Sequence, residues 1–196
     1  SANGQINVTN CNFIRYNIIT GQIEPLSLGI AAISGNSILH SIYLLSNNKL
    51  VVGGKFNSLT NFASSPTTLL TNGMAIYDIN NNTFSHVTNG GLTDANAVVH
   101  TVLEYNNGLY VGGIFADTYG SNILYVNNLN LPFNTRIKIS LGGTDGPVYA
   151  LTKTKTNDIY IGGQFGRAGK GGPFDLNVEN YNNGNTSVSI GRIISN

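Results

Sequence analysis

The chain has 196 residues, of which 41% are apolar and 10% are charged, with ten basic and nine acidic side chains. This length is ample for one domain with a core, and a balanced charge without a basic stripe argues against a nucleic-acid partner. No window approaches the continuous apolar length of a membrane span, and the single cysteine, Cys11, excludes an internal disulfide and a cysteine-based metal cage.

Residues 13 to 26 are predicted to form a hairpin of two strands. They match residues 74 to 87 in form, since both stretches have an apolar strand, a polar turn and a second strand. That form is typical of the third and fourth strands of a four-stranded unit. Residues 1 to 29 are therefore interpreted as half of such a unit.

Residues 36 to 90 are predicted to form the first complete four-stranded unit. An apolar segment at 38 to 45 precedes an Asn-rich turn, which tolerates positive φ and closes a tight hairpin with the run Lys-Leu-Val-Val-Gly-Gly-Lys-Phe at 49 to 56. Residues 57 to 72 are the longest candidate loop. The hairpin at 74 to 87 supplies the remaining two strands.

Two further units repeat this pattern, over residues 96 to 142 and 146 to 194. Their diglycine runs are Gly-Leu-Tyr-Val-Gly-Gly-Ile-Phe and Asp-Ile-Tyr-Ile-Gly-Gly-Gln-Phe. In the last unit, residues 174 to 178 and 187 to 190 are predicted as the third and fourth strands. No stretch shows a sustained period of 3.6 residues, so no helix is expected.

The spacing of the diglycines indicates a β-propeller. The pair that begins at Gly112 follows the pair at Gly53 after 59 residues, and the pair at Gly162 follows after another 50. Such periods are typical of four-stranded propeller blades. Propellers close a ring of about four to eight blades, whereas the tally here is three and a half. The sequence therefore predicts an all-β propeller segment that belongs to a larger or multi-chain propeller.

The repeated residues have structural reasons. Two glycines after a buried strand let the backbone turn and let a neighbouring blade approach where a Cβ atom would collide. The phenylalanines that follow are expected to fill the space between blades. These repeat residues are Gly53, Gly54, Phe56, Gly112, Gly113, Phe115, Gly162, Gly163 and Phe165.

Several phrases of the sequence resemble kelch-type propellers. They are Leu-Tyr-Val-Gly-Gly-x-Phe, the strand Ala-Ile-Tyr-Asp at 75 to 78 with Asn-Thr-Phe after it, and the run at 143 to 151. They are most similar to the propeller repeats of the fungal bud-site cortical marker family, and bacterial surface repeats of the delta-60 type share the diglycine-x-Phe signature. The resemblance spans nearly the whole chain. It implies a cell-surface ectodomain that acts in cell polarity through partner binding.

Two histidines and a tyrosine occupy one place in the repeat. His40 and His100 precede their diglycines by thirteen and twelve residues, and Tyr149 is their counterpart in the last unit. On adjacent inner strands these side chains would line a central channel. Packing of the channel wall is favoured over a metal site, because a metal needs a third ligand and supporting groups that the sequence does not offer.

The glycine-rich segment after the last diglycine is interpreted as a mildly cationic blade loop. It lacks the Gly spacing and the Ser or Thr of a phosphate-binding loop, and no helix follows it. Arg167 and Lys170 are candidate contacts for an acidic partner. In the candidate loop at 57 to 72, Phe62 and Leu69 are candidate apolar contacts.

Asn7, Asn81 and Asn185 fit the N-glycosylation acceptor pattern. Two of them fall in predicted hairpin turns, where an acceptor must be exposed. A surface built from Asn, Ser, Thr and Gly is compatible with an extracellular, cell-surface or virion location.

Three functions remain open from the sequence. The preferred one is a non-enzymatic scaffold for protein interaction or adhesion, which binds a protein or glycan partner through propeller-face loops and needs no cofactor. A second is a structural assembly subunit that forms a homo-oligomer or filament through open propeller edges. A third is a glycan-binding, enzymatic or metal-dependent site in the channel, with His40 and His100 beside Asp145 or Glu104.

Overall fold

Antiparallel strands make up the regular secondary structure of the protein. The computed structural model describes residues 13–24, 28–31, 37–61, 67–87, 91–118, 120–127, 136–137, 143–166 and 189–193. No helix occurs in these ranges, so the prediction of an all-β chain is confirmed. In chain order the strands are β1 (Arg15–Asn17), β2 (Gln22–Glu24), β3 (Leu28–Ala31), β4 (Ile38–Leu44), β5 (Lys49–Lys55), β6 (Ser58–Asn61), β7 (Thr67–Leu70), β8 (Met74–Asp78), β9 (Thr83–His86), β10 (Val98–Tyr105), β11 (Gly108–Asp117), β12 (Gly120–Val126), β13 (Arg136–Ile137), β14 (Val148–Lys153), β15 (Ile159–Gly163) and β16 (Ser189–Ile193).

Two four-stranded sheets share one strand order. The first sheet runs β4-β5-β8-β9 and the second sheet runs β10-β11-β12-β13, with every pair antiparallel. The inner hairpin of the first sheet turns through Asn48, and that of the second turns through Asn106 and Asn107. Their φ values of 63°, 45° and 61° lie in the left-handed region that Asn tolerates. These hairpins match the pairing predicted for the diglycine runs.

The third sheet corrects the strand assignment at the end of the chain. It runs β14-β15-β16, and β16 pairs directly with β15, from Ile159 opposite Ile193 to Gly163 opposite Ser189. The prediction of a fourth strand at 187 to 190 is wrong, because the strand that begins at Ser189 takes the third place. The strand predicted at 174 to 178 lies outside the described residues.

Residues 57 to 72, predicted as the longest candidate loop, include two strands. β6 pairs with β7 and also with β3, which gives a three-stranded side sheet. Leu59 is buried, and Leu69, its partner across the hairpin, packs against the same core cluster. The loop prediction is wrong because the apolar residues of this hairpin cover part of the core.

The N-terminal hairpin, β1 with β2, has the same turn structure as the hairpin β8–β9. Asn17 Oδ1 accepts hydrogen bonds from the backbone N–H groups two and three residues later, and Asp78 Oδ1 does the same. Gly21 and Asn82 occupy the same place in the two turns and both have positive φ. The strands also pair in the same register. The predicted likeness of residues 13 to 26 to residues 74 to 87 therefore extends to the hydrogen bonds.

Consecutive sheets pack face to face through the first glycine of the first two pairs. A Cβ atom at Gly53 would lie 2.6 Å from Val99 Cγ1 on β10, and one at Gly112 would lie 2.7 Å from Val148 Cγ1 on β14. Side chains do not approach so closely without displacement, so glycine permits this distance between sheets.

The second glycine of each pair lies close to the backbone of the first strand in the same sheet. An added Cβ atom at Gly54, Gly113 or Gly163 would strike the carbonyl oxygen of a residue at the start of the neighbouring first strand. The phenylalanines that follow the three pairs are all buried: Phe56, Phe115 and Phe165.

Two hydrophobic clusters fill the space between the sheets. The larger cluster joins the facing sides of the first, second and third sheets and includes Tyr110, Leu124 and Ile161. The smaller cluster lies on the other side of the first sheet, where the rings of Phe13 and Tyr77 have centroids 5.2 Å apart. The sheets form no closed barrel or closed propeller within the described ranges, so the propeller stays a prediction.

Two equivalent glycines provide a test of the packing between sheets. Replacing Gly112 by Ala is expected to lower the free energy of unfolding by about 1–3 kcal/mol, because the new methyl group meets the buried Val148. Gly162→Ala is the matched control, since among the described residues its Cβ atom would meet only Ala150 Cβ, at 3.7 Å, and it should change stability by less than about 0.5 kcal/mol. Urea unfolding of both variants measures the difference. Equal losses would contradict the proposed contact.

Candidate functional site

A bulge in the first strand of each sheet positions His40, His100 and Tyr149. The pairing of β4 with β5 shifts register between Leu39 and Ser41, so that His40 lies opposite the peptide link of the diglycine. The same shift occurs in the other two sheets, around His100 and around Tyr149. A bulge leaves one residue outside the regular ladder and re-aims its side chain.

The three bulged side chains stack as one row, called the aromatic row below. The ring centroids of His40 and His100 are 4.6 Å apart, and those of His100 and Tyr149 are 5.0 Å apart. The first ring pair is tilted and the second is edge-on, arrangements that aromatic rings favour over a flat sandwich. Three different sheets therefore contribute to a single surface feature.

His100 is the middle and least exposed member of the aromatic row. Its Nε2 atom is buried and has no hydrogen-bond partner in the described part of the chain. Burial and the neighbouring His40 hold the pKa of His100 below its ordinary value of 6.5. The row thus offers ring faces and edges to a flat or apolar group.

The carboxylates considered together with the histidines make other contacts. Glu104 accepts hydrogen bonds from the N–H and the hydroxyl group of Ser46, at 2.8 Å and 2.7 Å, in the hairpin turn of the first sheet. Asp145 Oδ1 accepts a hydrogen bond from the N–H of Gly166 at 2.8 Å. Both carboxylates therefore join segments of the fold. Within the described part of the chain, no three His, Cys, Asp or Glu side chains cluster as a metal ion would need.

A repeated Thr-Asp pair is a feature that the sequence reasoning missed. Asp94 accepts a hydrogen bond from the N–H of Ala116, and Asp145 accepts one from Gly166, at equivalent places after the two diglycines. The nearly buried Asp117 accepts hydrogen bonds from the N–H and the hydroxyl group of Thr93. The signal was the recurrence of Thr-Asp between units. These hydrogen bonds hold the segments that enter the second and third sheets against those sheets.

The remaining predicted contacts fall in different places. Leu69 packs against the smaller core cluster, whereas its neighbour Leu70 is exposed. Asn81 is exposed in the turn between β8 and β9, as a glycosylation acceptor must be. The other predicted residues lie outside the described ranges: Phe62, Arg167, Lys170, Asn7 and Asn185.

Exposed large hydrophobic side chains concentrate at one end of the row of sheets. Of the eleven in the described ranges, eight lie between residues 14 and 44. Ile18 and Ile19, at the tip of the N-terminal hairpin, are 86% and 92% exposed. Ile42 and Leu44 on β4 are 54% and 58% exposed. A concentration of this kind is typical of an interaction surface.

Comparison with protein-family models, with curated proteins and with solved structures found no match for this chain. The kelch-type resemblance therefore stays a prediction. No helix in the described ranges has the length and apolar character that a membrane crossing requires.

The depressed pKa of His100 predicts a loss of stability in acid. The unfolded chain binds a proton near pH 6.5, whereas the folded protein resists protonation until a lower pH. The free energy of unfolding should therefore fall as the pH drops through 6.5 towards the folded pKa. Burial lowers the pKa of His86 as well, so both histidines contribute.

His100→Phe keeps a ring in the aromatic row and removes its titration. Urea unfolding at about pH 7.5 and about pH 5 should show a smaller acid loss in this variant than in the natural protein. His86→Phe measures the other histidine separately. An unchanged acid loss in His100→Phe would show that His100 does not carry the effect.

Proposed function

We propose that the chain is a non-enzymatic protein-interaction scaffold at a cell or particle surface, built from propeller-type blades. The concentration of exposed apolar side chains at one end of the row of sheets carries this proposal. The shared strand order, the repeated bulges and the diglycine contacts support blades, and further blades would complete the ring. An exposed acceptor at Asn81 and a surface rich in Asn, Ser and Thr support the location.

The side of β4 that faces away from the second sheet is the best-defined part of this surface. Gly53 faces the second sheet, so Val52 faces away from it, and Ile42 pairs with Val52. Leu44 pairs with Leu50 on the same side. We call Leu39, Ile42 and Leu44 the β4 face. In the second sheet, Val102 takes the place of Ile42 and is only 5% exposed, because the first sheet covers it.

Replacing Ile42 and Leu44 together by Lys tests the β4 face as an interaction surface. Both side chains are more than half exposed, so the melting temperature should change by less than about 3 °C. Fluorescence of a bound naphthalene-sulfonate dye should fall about twofold or more, because the apolar patch is lost. Ile114→Lys, at an exposed apolar residue on another strand, is the control and should keep the dye signal.

A large fall in melting temperature would show that Ile42 and Leu44 stabilise the fold instead. An equal dye signal in both variants would show that the apolar surface is not concentrated at β4. Sedimentation of the natural protein over a range of concentrations addresses the assembly alternative. Self-association that the double substitution abolishes would make the chain a subunit of a homo-oligomer or filament.

A second candidate function is ligand binding at the aromatic row, which the stacking of three rings from three sheets favours. The exposed ring of Tyr149 suits a glycan, whose apolar ring face would stack on it. Titration with oligosaccharides should show binding, and the Tyr149→Ala variant should bind about tenfold or more weakly.

Metal analysis tests whether the aromatic row is instead a metal-dependent site. Stoichiometric metal that is lost in a His40→Ala, His100→Ala double variant would support it, and metal-free protein would remove it.

A further inference from the structure

Within the described ranges, the β4 face lacks the cover that the equivalent strands receive. The hairpin β4–β5 covers β10, and the hairpin β10–β11 covers β14. In each case the two inner strands of one sheet lie over the first strand of the next. No hairpin of the described ranges lies over the inner part of β4 in this way, and Ile42 and Leu44 remain exposed.

The N-terminal hairpin supplies the two outer strands of a covering sheet. The N-terminal hairpin matches β8–β9, the outer strands of the first sheet, in register and in its turn. Phe13 takes the place of Met74: Met74 packs in the larger cluster towards the second sheet, and Phe13 packs on Tyr77 of the first sheet. Among the described residues, no strand fills the position beside β1 that corresponds to β4–β5.

The contacts inside the molecule define what fits this position. Val99 and Val148 each lie against the first glycine of a diglycine in the covering hairpin. Leu39 has their place on β4, since it pairs with Gly54 as Val99 pairs with Gly113 and Val148 with Gly163. A covering hairpin consequently needs glycine over Leu39, because a side chain there would collide.

The residue at the place of Leu44 adds a second requirement. Glu104 and Lys153 are the equivalents of Leu44 in the second and third sheets. Glu104 accepts hydrogen bonds from the turn residue Ser46 of the preceding hairpin. Lys153 Nζ lies 5.8 Å from the ring centroid of Tyr105, which precedes the turn of its covering hairpin. Leu44 carries no charge and is exposed, so the covering hairpin must present an apolar residue before its turn. Leu45 holds that place in the hairpin β4–β5.

We propose that the β4 face is the docking site for a donated β-hairpin of the same diglycine type, which adds two inner strands beside β1. The donated hairpin carries a glycine over Leu39 and apolar residues over Ile42 and Leu44. This inference rests on the proposed function as an interaction scaffold and names the chemistry of its partner.

A hairpin peptide with the sequence of residues 37 to 57 is the probe. Fluorescence anisotropy should show that it binds the full chain, and a peptide with Gly53→Val should bind about tenfold or more weakly, because its side chain meets Leu39. Binding should also fall about tenfold or more in the Ile42→Lys chain. The Ile114→Lys chain is the matched control and should bind as the natural chain does.

An isolated hairpin is marginally stable, so a second arm joins the same segment to the N-terminus of the full chain through a Gly/Ser linker. The appended hairpin should raise the melting temperature and lower dye fluorescence, and Gly53→Val in the appended copy alone should cancel both effects. Failure of both arms, or equal binding to the Ile42→Lys chain, overturns the inference.

The outcomes separate this inference from the function on which it rests. If the hairpin fails while the dye signal still depends on Ile42 and Leu44, the interaction surface stands and the hairpin partner is wrong. If the natural protein instead forms dimers that Ile42→Lys abolishes, a second copy occupies the face and the hairpin partner is again wrong. Loss of the dye dependence itself contradicts the proposed function.

Discussion

The close approach of one sheet to the next, through a glycine with no side chain, sets the geometry on which the rest of the structure depends. Val99 and Val148 occupy the space that Cβ atoms at Gly53 and Gly112 would need. With that distance fixed, the larger cluster can fill the space between three sheets. Asp94 and Asp145 accept hydrogen bonds that hold the segments entering the second and third sheets against those sheets.

The same diglycines also determine the candidate ligand site. Each first strand bulges opposite its diglycine, and the bulge turns out one ring. Because consecutive sheets pack face to face, the rings of His40, His100 and Tyr149 reach one another. The repeat thus brings the three rings of the aromatic row together, although they are about 50 to 60 positions apart in the chain.

The proposed function and partner follow from a difference in burial between equivalent residues of the first and second sheets. A side chain at the place of Ile42 is buried in the second sheet, as Val102 is, and exposed in the first. The difference lies in the neighbouring sheet and not in the residue, since both are aliphatic. Apolar residues that are buried in one repeat and exposed in another mark the β4 face as a surface made to be covered.

The sequence by itself determined the strands, the inner hairpins and the repeat, because turn residues such as Asn48 and alternating apolar residues act locally. It also indicated that His40, His100 and Tyr149 hold one place. Only the tertiary structure decided that β6 pairs with β3, that β16 is a third strand, and that Ile42 is exposed. Strand pairing and burial depend on which distant segment lies alongside, and local preferences do not specify that neighbour.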